Sequence, residues 1–123
     1  MAIERVAVIG AGTMGAGIAQ VCAQAGWTTA LYDAFPKGLE RGMQRIDAFW
    51  DKGIARGKTT AEQKEAWAKN LRAEADMKTA VHDVDLIIEA VPEIPELKAT
   101  VFAQLDEMAP EHAILGTNTS SLS

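Results

Sequence analysis

Residues 5–15, RVAVIGAGTMG, join a short apolar run to a glycine-rich turn. The run Arg5–Ile9 is rich in β-branched residues, and an apolar run that does not alternate with polar residues is typical of a buried strand in a parallel sheet. The turn after it fits G-x-G-x-x-G, and small apolar residues at helical spacing follow it as far as Gly26. A strand, this turn and a helix in succession indicate a dinucleotide-binding unit.

Each glycine of the turn has a mechanical reason. Gly10 permits the tight turn, Gly12 lets a pyrophosphate approach the backbone, and Gly15 lets the helix pack closely. Thr13 and Met14 open the helix, whose first N–H groups and partial positive charge favour phosphate. We therefore predict that these five residues bind the cofactor, and the alternative is that they form only a structural turn.

An acidic residue follows the second predicted strand, Thr28 to Tyr32. Asp33 lies 18 residues after Gly15, where a carboxylate can accept hydrogen bonds from both hydroxyls of the adenosine ribose. The same negative charge repels a 2′-phosphate, so Asp33 favours NAD over NADP. The alternative is that Asp33 only caps the turn that follows it.

The remaining chain alternates helices and strands. The pattern predicts a helix from Pro36 to Gly57, a second helix opened by Thr59 or Thr60 and running to about Ala73, a strand from Val84 to Val91, a helix from Pro95 to Pro110, and a strand from Ala113 to Gly116. Such alternation predicts an α/β fold, a Rossmann-type parallel sheet with helices on both faces and a helical hairpin inserted after the second strand.

Composition limits the classes of partner. The net charge of −5 argues against general nucleic-acid binding, which needs a positive surface for the phosphates. No apolar run is long enough to span a bilayer, so we expect no membrane insertion. Cys22 is the single cysteine, and without a local base or metal partner it is interpreted as a packing residue of a protein in the reducing cytoplasm. We expect no metal site.

Three motifs together carry a resemblance to a known family. They are GAGTMGAGIAQ at residues 10–20, DLIIEAVPE at residues 85–93 and TNTSSL at residues 117–122. In this order they resemble the amino-terminal NAD-binding domain of the 3-hydroxyacyl-CoA dehydrogenases, and the likeness spans the chain. The resemblance implies oxidation of a 3-hydroxyacyl-CoA to the 3-ketoacyl-CoA in fatty-acid metabolism, with NAD as the hydride acceptor.

The resemblance also assigns roles to residues of the second half. Glu93 and Lys98 match positions that contact the dinucleotide, and Asn118 matches the loop beside the nicotinamide. Ser120 matches a residue that contacts both the nicotinamide side and the 3-oxygen of the substrate. From the residues alone, Glu93 could equally be an acid at a helix start, and Asn118 and Ser120 could be turn residues.

The family's catalytic histidine belongs to a His-Phe-Phe-Asn-Pro stretch that is not found here, and neither His82 nor His112 lies in such a motif. Residues 1–123 are therefore expected to be one NAD-binding domain of a longer two-domain enzyme, inactive alone. The resemblance further implies a homodimer formed through the helical second domain.

Two other functions stay open: the same part of a related dehydrogenase, gulonate-type or within a multifunctional β-oxidation protein, and a non-catalytic NAD-binding module. A lysine-based β-hydroxyacid dehydrogenase would share the glycine turn, but that class usually prefers NADP, which Asp33 opposes.

Basic charge is concentrated in residues 37–58, which hold six Lys or Arg against three Asp or Glu, whereas the whole chain carries −5. Coenzyme A carries a phosphorylated ADP that a positive potential can capture. Lys52, Arg56 and Lys58 are therefore candidates for a CoA site. The alternative is a solvated helix face whose cations favour the carboxyl end of the helix dipole.

Overall fold

The computed structural model describes residues 2–117, which form a five-stranded parallel sheet with helices on both faces. The predicted fold class is confirmed. The strands are β1 (Arg5–Ile9), β2 (Thr28–Tyr32), β3 (Leu71–Glu74), β4 (Leu86–Glu89) and β5 (Ile114–Thr117), and the helices are α1 (Thr13–Gln24), α2 (Pro36–Ala55), α3 (Ala61–Ala68), α4 (Met77–Val81) and α5 (Pro95–Met108). Among the described residues, no helix is both long and apolar enough to cross a membrane.

The strands lie in the order β3-β2-β1-β4-β5 and all run in the same direction. Their register places the last residues of the five strands in one row, namely Glu74, Tyr32, Ile9, Glu89 and Thr117. Because parallel strands end at a common edge, the segments that follow β1, β2 and β4 meet beyond this row.

The central strand is buried on both faces. Val6 and Val8 point into a core shared with α1 and α2, whereas Ala7 and Ile9 point into a second core shared with α4 and α5. All four side chains are at most 1% exposed. This two-sided burial is the reason why β1 reads as a continuous apolar run.

The long helix α2 begins at Pro36, as predicted, and buries one face. Ile46 and Trp50 belong to the core, and the indole Nε1 of Trp50 donates a hydrogen bond to Oε1 of Gln24 at 2.9 Å. The carboxyl half of α2 therefore packs on the end of α1. Phe49, which the periodicity predicts on the same inner face, is 58% exposed, and that prediction is wrong.

The second predicted helix is shorter than expected. It begins with the predicted capping box, in which Thr60 and Gln63 exchange side-chain and backbone hydrogen bonds, but it ends at Ala68 rather than near Ala73. Asn70 terminates it: the Asn70 side chain donates to the carbonyl of Ala23, and its own carbonyl accepts the N–H of Thr29. These contacts pull the chain onto the edge of β2, where the following residues pair as β3.

The five-residue helix α4 is also absent from the sequence prediction. Asp76 caps it, because its Oδ2 accepts both the N–H and the hydroxyl of Thr79. These hydrogen bonds to the hydroxyl and the backbone hold the pKa of Asp76 below its usual value. Helix α4 buries Met77 and Val81 against the sheet and so completes the second core.

Candidate functional site

A cleft of 670 Å³ opens beyond the carboxyl ends of β1, β2 and β4. It brings together residues that are far apart in the sequence. Of the predicted site residues, the cleft is lined by Gly10, Gly12, Thr13, Met14, Asp33 and Glu93. Apolar side chains, among them Phe35, Val91 and Leu97, supply much of the remaining wall, as is usual for a site that binds an organic ligand.

Two glycines of the turn are closely packed. Gly10 has φ of +112°, and a Cβ there would lie 2.7 Å from the carbonyl oxygen of Ala90. A Cβ at Gly15 would overlap the carbonyl oxygen of Gly10. The turn therefore has no room for side chains between β1, α1 and the segment after β4, which explains both glycines by packing alone.

Gly12 differs from its neighbours because a Cβ there would meet no atom within 4 Å. Packing within the described residues therefore does not require this glycine. It is the N-cap of α1, and no side chain of the described part of the chain caps that helix end. The first N–H groups of α1 are thus left to an external acceptor, and a pyrophosphate is a fitting one.

The carboxylate of Asp33 is fixed by two backbone groups. Its Oδ2 accepts the N–H of Ala11 at 2.8 Å, and its Oδ1 accepts the N–H of Phe35 at 2.9 Å. The hydrogen bond to Phe35 is the turn cap considered as the alternative role. A carboxylate has about four acceptor positions, so about two remain for ribose hydroxyls. Capping and ribose binding are therefore compatible.

A second fixed carboxylate, Glu89, lies at the end of β4 and is fully buried. Its Oε2 accepts the N–H of Val91 at 2.7 Å, and its Oε1 accepts from Lys98 Nζ at 2.9 Å and from Thr117 Oγ1 at 2.6 Å. Lys98 Nζ also lies 3.3 Å from Oε1 of Glu93. Lys98 is thus held between a buried carboxylate and one that lines the cleft.

Glu89 was not among the site residues predicted from the sequence. The available signal was an acidic residue inside the apolar stretch DLIIEAV, with a lysine nine residues later. A charge in a strand buried on both faces requires a partner.

The ammonium of Lys98 responds to two opposing effects. Burial lowers its pKa, but the hydrogen bond and charge of Glu89, together with those of Glu93, raise it more, and the net result is a raised pKa. Lys98 therefore stays charged at neutral pH. Its positive charge offsets the desolvation of the buried Glu89 carboxylate.

The proposed CoA residues do not line the cleft. Lys52, Arg56 and Lys58 are exposed at the carboxyl end of α2. The Trp50–Gln24 hydrogen bond places this end beside the last residue of α1, about 16 Å along that helix from its start at the cleft. The exposure of the three cations fits the solvated-face alternative as well as a site for the far end of a long ligand.

The remaining candidates lie elsewhere. His112 is partly exposed, with Nε2 at 3.4 Å from Oδ1 of Asp85, and His82 is exposed at the end of α4. Cys22 is buried in the core, and burial raises the pKa of its thiol, which confirms the packing role. Asn118 and Ser120 lie outside the described residues. Within residues 2–117, no three His, Cys, Asp or Glu side chains are grouped in a way that could hold a metal ion.

Comparison with known proteins identifies the family and the same fold. The family model described as "3-hydroxyacyl-CoA dehydrogenase, NAD binding domain" matches residues 5–123. A 3-hydroxyadipyl-CoA dehydrogenase of Escherichia coli is 46% identical over 121 residues, which are 98% of this chain and 25% of that protein. A probable 3-hydroxybutyryl-CoA dehydrogenase of Bacillus subtilis is 36% identical over 99% of this chain and 42% of that protein.

Among solved structures, a 3-hydroxybutyryl-CoA dehydrogenase of Escherichia coli superimposes with a TM-score of 0.92 at 44% identity, over 100% of this chain and 26% of that one. The chain thus spans between a quarter and about two fifths of the length of the two curated relatives described above.

Proposed function

Because the chain belongs to the 3-hydroxyacyl-CoA dehydrogenase family, as its NAD-binding domain, we propose that it binds NAD in this cleft and presents it to a 3-hydroxyacyl-CoA. The whole protein would oxidise the 3-hydroxyl group to a ketone in fatty-acid metabolism. When bound, NAD supplies the hydride acceptor. The residues described here supply binding and orientation.

One observation carries this proposal most strongly. The uncapped start of α1, the open space at Gly12 and the fixed carboxylate of Asp33 all face one cleft at the carboxyl edge of a parallel sheet. The first two features suit a pyrophosphate and the third suits a ribose with free hydroxyls. We infer that a 2′-phosphate beside Asp33 would meet a like charge.

The opposite wall would bind the rest of the cofactor. We assign Glu93 and the adjacent Lys98 to dinucleotide contacts, since Glu93 lines the cleft and Lys98 is ion-paired with it. Asn118 and Ser120 follow Thr117, the last residue of the row at the sheet edge. That position supports their proposed roles beside the nicotinamide and the substrate oxygen.

Proton transfer requires a general base within hydrogen-bond distance of the substrate hydroxyl. Neither His82 nor His112 lines the cleft, so we infer that the base comes from outside residues 2–117. We propose that acyl recognition and homodimer contacts also belong to other parts of the whole protein, as the family resemblance implies. A CoA contact by Lys52, Arg56 and Lys58, and residence in the cytoplasm, also stay proposals.

The test compares the whole protein with residues 1–123, both supplied with NADH and acetoacetyl-CoA. Oxidation of NADH is followed by its absorbance. We expect turnover by the whole protein and none by residues 1–123. A whole protein that binds NADH but leaves several acyl-CoA ketones unreduced would contradict the proposed substrate class, whereas turnover by residues 1–123 would contradict the location of the base.

A further inference from the structure

The fold alone does not require a buried carboxylate at Glu89. Moving a carboxylate out of water costs several kcal/mol, and an apolar side chain of similar volume is often equally stable in such a place. Glu89 nevertheless ends β4 with no exposed surface, in a sheet whose other buried strand positions are almost all apolar. The charge at this position is better explained by the hydrogen bonds that it accepts than by packing.

Its three hydrogen-bond donors come from three separate segments. The N–H of Val91 belongs to the segment after β4, which lines the cleft. Lys98 belongs to α5 and is also ion-paired with Glu93. Thr117 is the last residue of β5, one residue before Asn118 and three before Ser120. One carboxylate therefore connects the segment after β4 and helix α5 with the carboxyl end of β5.

The two oxygens divide these tasks. Oε2 accepts the backbone N–H of Val91, just after β4, whereas Oε1 accepts from both Lys98 and Thr117. A displacement of the ammonium at Oε1 therefore alters the acceptor that fixes the Thr117 hydroxyl. Hydrogen bonds to a buried charge are short and strong, so this shared oxygen gives little freedom to either partner.

We propose that Glu89 is a positioning residue that holds Lys98 and Thr117 in a fixed relation, so that dinucleotide binding beside Lys98 is coupled to the carboxyl end of β5, after which Asn118 and Ser120 follow in the sequence. Glu89 touches neither cofactor nor substrate in this role. The inference deepens the proposed function and rests on it for the substrate side. The coupling itself can be measured without turnover.

The experiment uses the whole protein with Glu89→Gln, which keeps the side-chain shape but removes the charge and one acceptor oxygen. We expect the Kd for NADH to rise about tenfold. We expect kcat per NADH-binding site to fall on the order of 100-fold, the scale of a small misplacement of reacting groups. Glu96→Gln is the matched control, because it removes the same charge from the exposed first turn of α5, and both constants should stay within about twofold.

Two variants of Thr117 separate the hydrogen bond from packing. Thr117→Ser keeps the hydroxyl and should retain most of kcat and most of the affinity for NADH. Thr117→Val keeps the shape but loses the donor, so it should lower kcat and also raise the Kd for NADH, by less than Glu89→Gln does, because a coupling between two segments acts in both directions. A role in packing alone predicts the reverse order. The proposal is overturned if Val is the better replacement, or if Glu89→Gln lowers only stability and leaves both constants per folded molecule unchanged.

Amide hydrogen exchange over residues 114–117 distinguishes this proposal from the proposed function. NADH should slow exchange there in the wild-type protein and should not do so in Glu89→Gln. If the wild-type protein reduces no acyl-CoA ketone, the proposed function fails, and loss of this protection in Glu89→Gln still supports the coupling. Protection that persists in Glu89→Gln contradicts the coupling whatever the substrate.

Discussion

The two walls of the cleft are built by opposite means. On the β1 side, the shape depends on missing side chains, because Gly10 and Gly15 leave no room for a Cβ and Gly12 leaves open space. On the β4 side, which Val91, Glu93 and Leu97 line, charged groups behind the lining support the wall, because Glu89 holds Lys98 and Thr117 by hydrogen bonds to a buried carboxylate.

The two walls suit different parts of a dinucleotide. Backbone amides beside glycines suit a ligand group that is the same in every dinucleotide, the pyrophosphate. Side chains joined through one carboxylate can transmit a displacement from one segment to another. The first wall therefore suits a fixed anchor, whereas the second suits the proposed coupling of the cofactor to the carboxyl end of β5.

Breaking the glycine wall should have the largest effect. Gly15→Ala forces a Cβ into the carbonyl of Gly10, and we expect it to lower the free energy of unfolding by about 3 kcal/mol or more. Gly17→Ala, an exposed position of the same helix with no atom near the added Cβ, should instead raise it by about 0.5–1 kcal/mol. Urea unfolding of both variants checks this, and similar effects of the two would show that the turn is not close-packed.

The charged wall should be nearly as sensitive. Lys98→Met leaves the buried Glu89 carboxylate without its cation, and removing one partner of a buried ion pair costs about 3 kcal/mol. Adding Glu89→Gln to Lys98→Met should recover part of that loss, because no uncompensated charge then remains. Urea unfolding of the wild-type protein, both single variants and the double variant gives the coupling energy.

Lys69→Met is the matched control for the charged wall, since it breaks the exposed pair with Glu65 and should cost less than about 0.5 kcal/mol. If the double variant is less stable than Lys98→Met, the loss arises from packing rather than from the unpaired charge.

The two walls also differ in how well they could be predicted from the sequence. The β1 wall was predictable, because a glycine turn between an apolar run and a helix is a local pattern. Glu89 was not, because its partners lie nine and 28 residues away and only the sheet register places Thr117 beside it. Strand β3 was missed for a similar reason. Its LRAE sequence is half-exposed, and it pairs with β2 because Asn70 forms hydrogen bonds with α1 and β2.

Asp85 links β1 and β4, the strands that carry the two walls, at their amino ends. Its Oδ2 accepts the N–H groups of Glu4 and Arg5 at 2.9 and 3.0 Å, and these hydrogen bonds hold the pKa of Asp85 below its usual value. A carboxyl whose pKa is lower in the folded state stabilises the protein above its ordinary pKa of about 3.9, and this contribution is lost as the pH falls through the folded-state pKa.

We therefore expect Asp85→Asn to have a smaller effect than the changes above, and mainly to flatten the loss of stability in acid. Thermal unfolding measured from about pH 6 down to about pH 2 covers the window in which this carboxyl is protonated. Asp106→Asn, at an exposed acid of α5, is the control. If the unfolding temperature of Asp85→Asn falls with pH in the same way as that of the wild-type protein, the Asp85 carboxylate does not stabilise the link between β1 and β4.

The central claim, that this cleft binds a dinucleotide with free ribose hydroxyls, is tested most directly by calorimetric titration with NAD and NADP. We predict that NAD binds at least about tenfold more tightly. Asp33→Ala should weaken NAD binding by about 1–3 kcal/mol, the scale for leaving polar partners unpaired, and should narrow the preference. Equal affinities for the two cofactors in the wild-type protein, or tighter binding of NADP, would contradict the account.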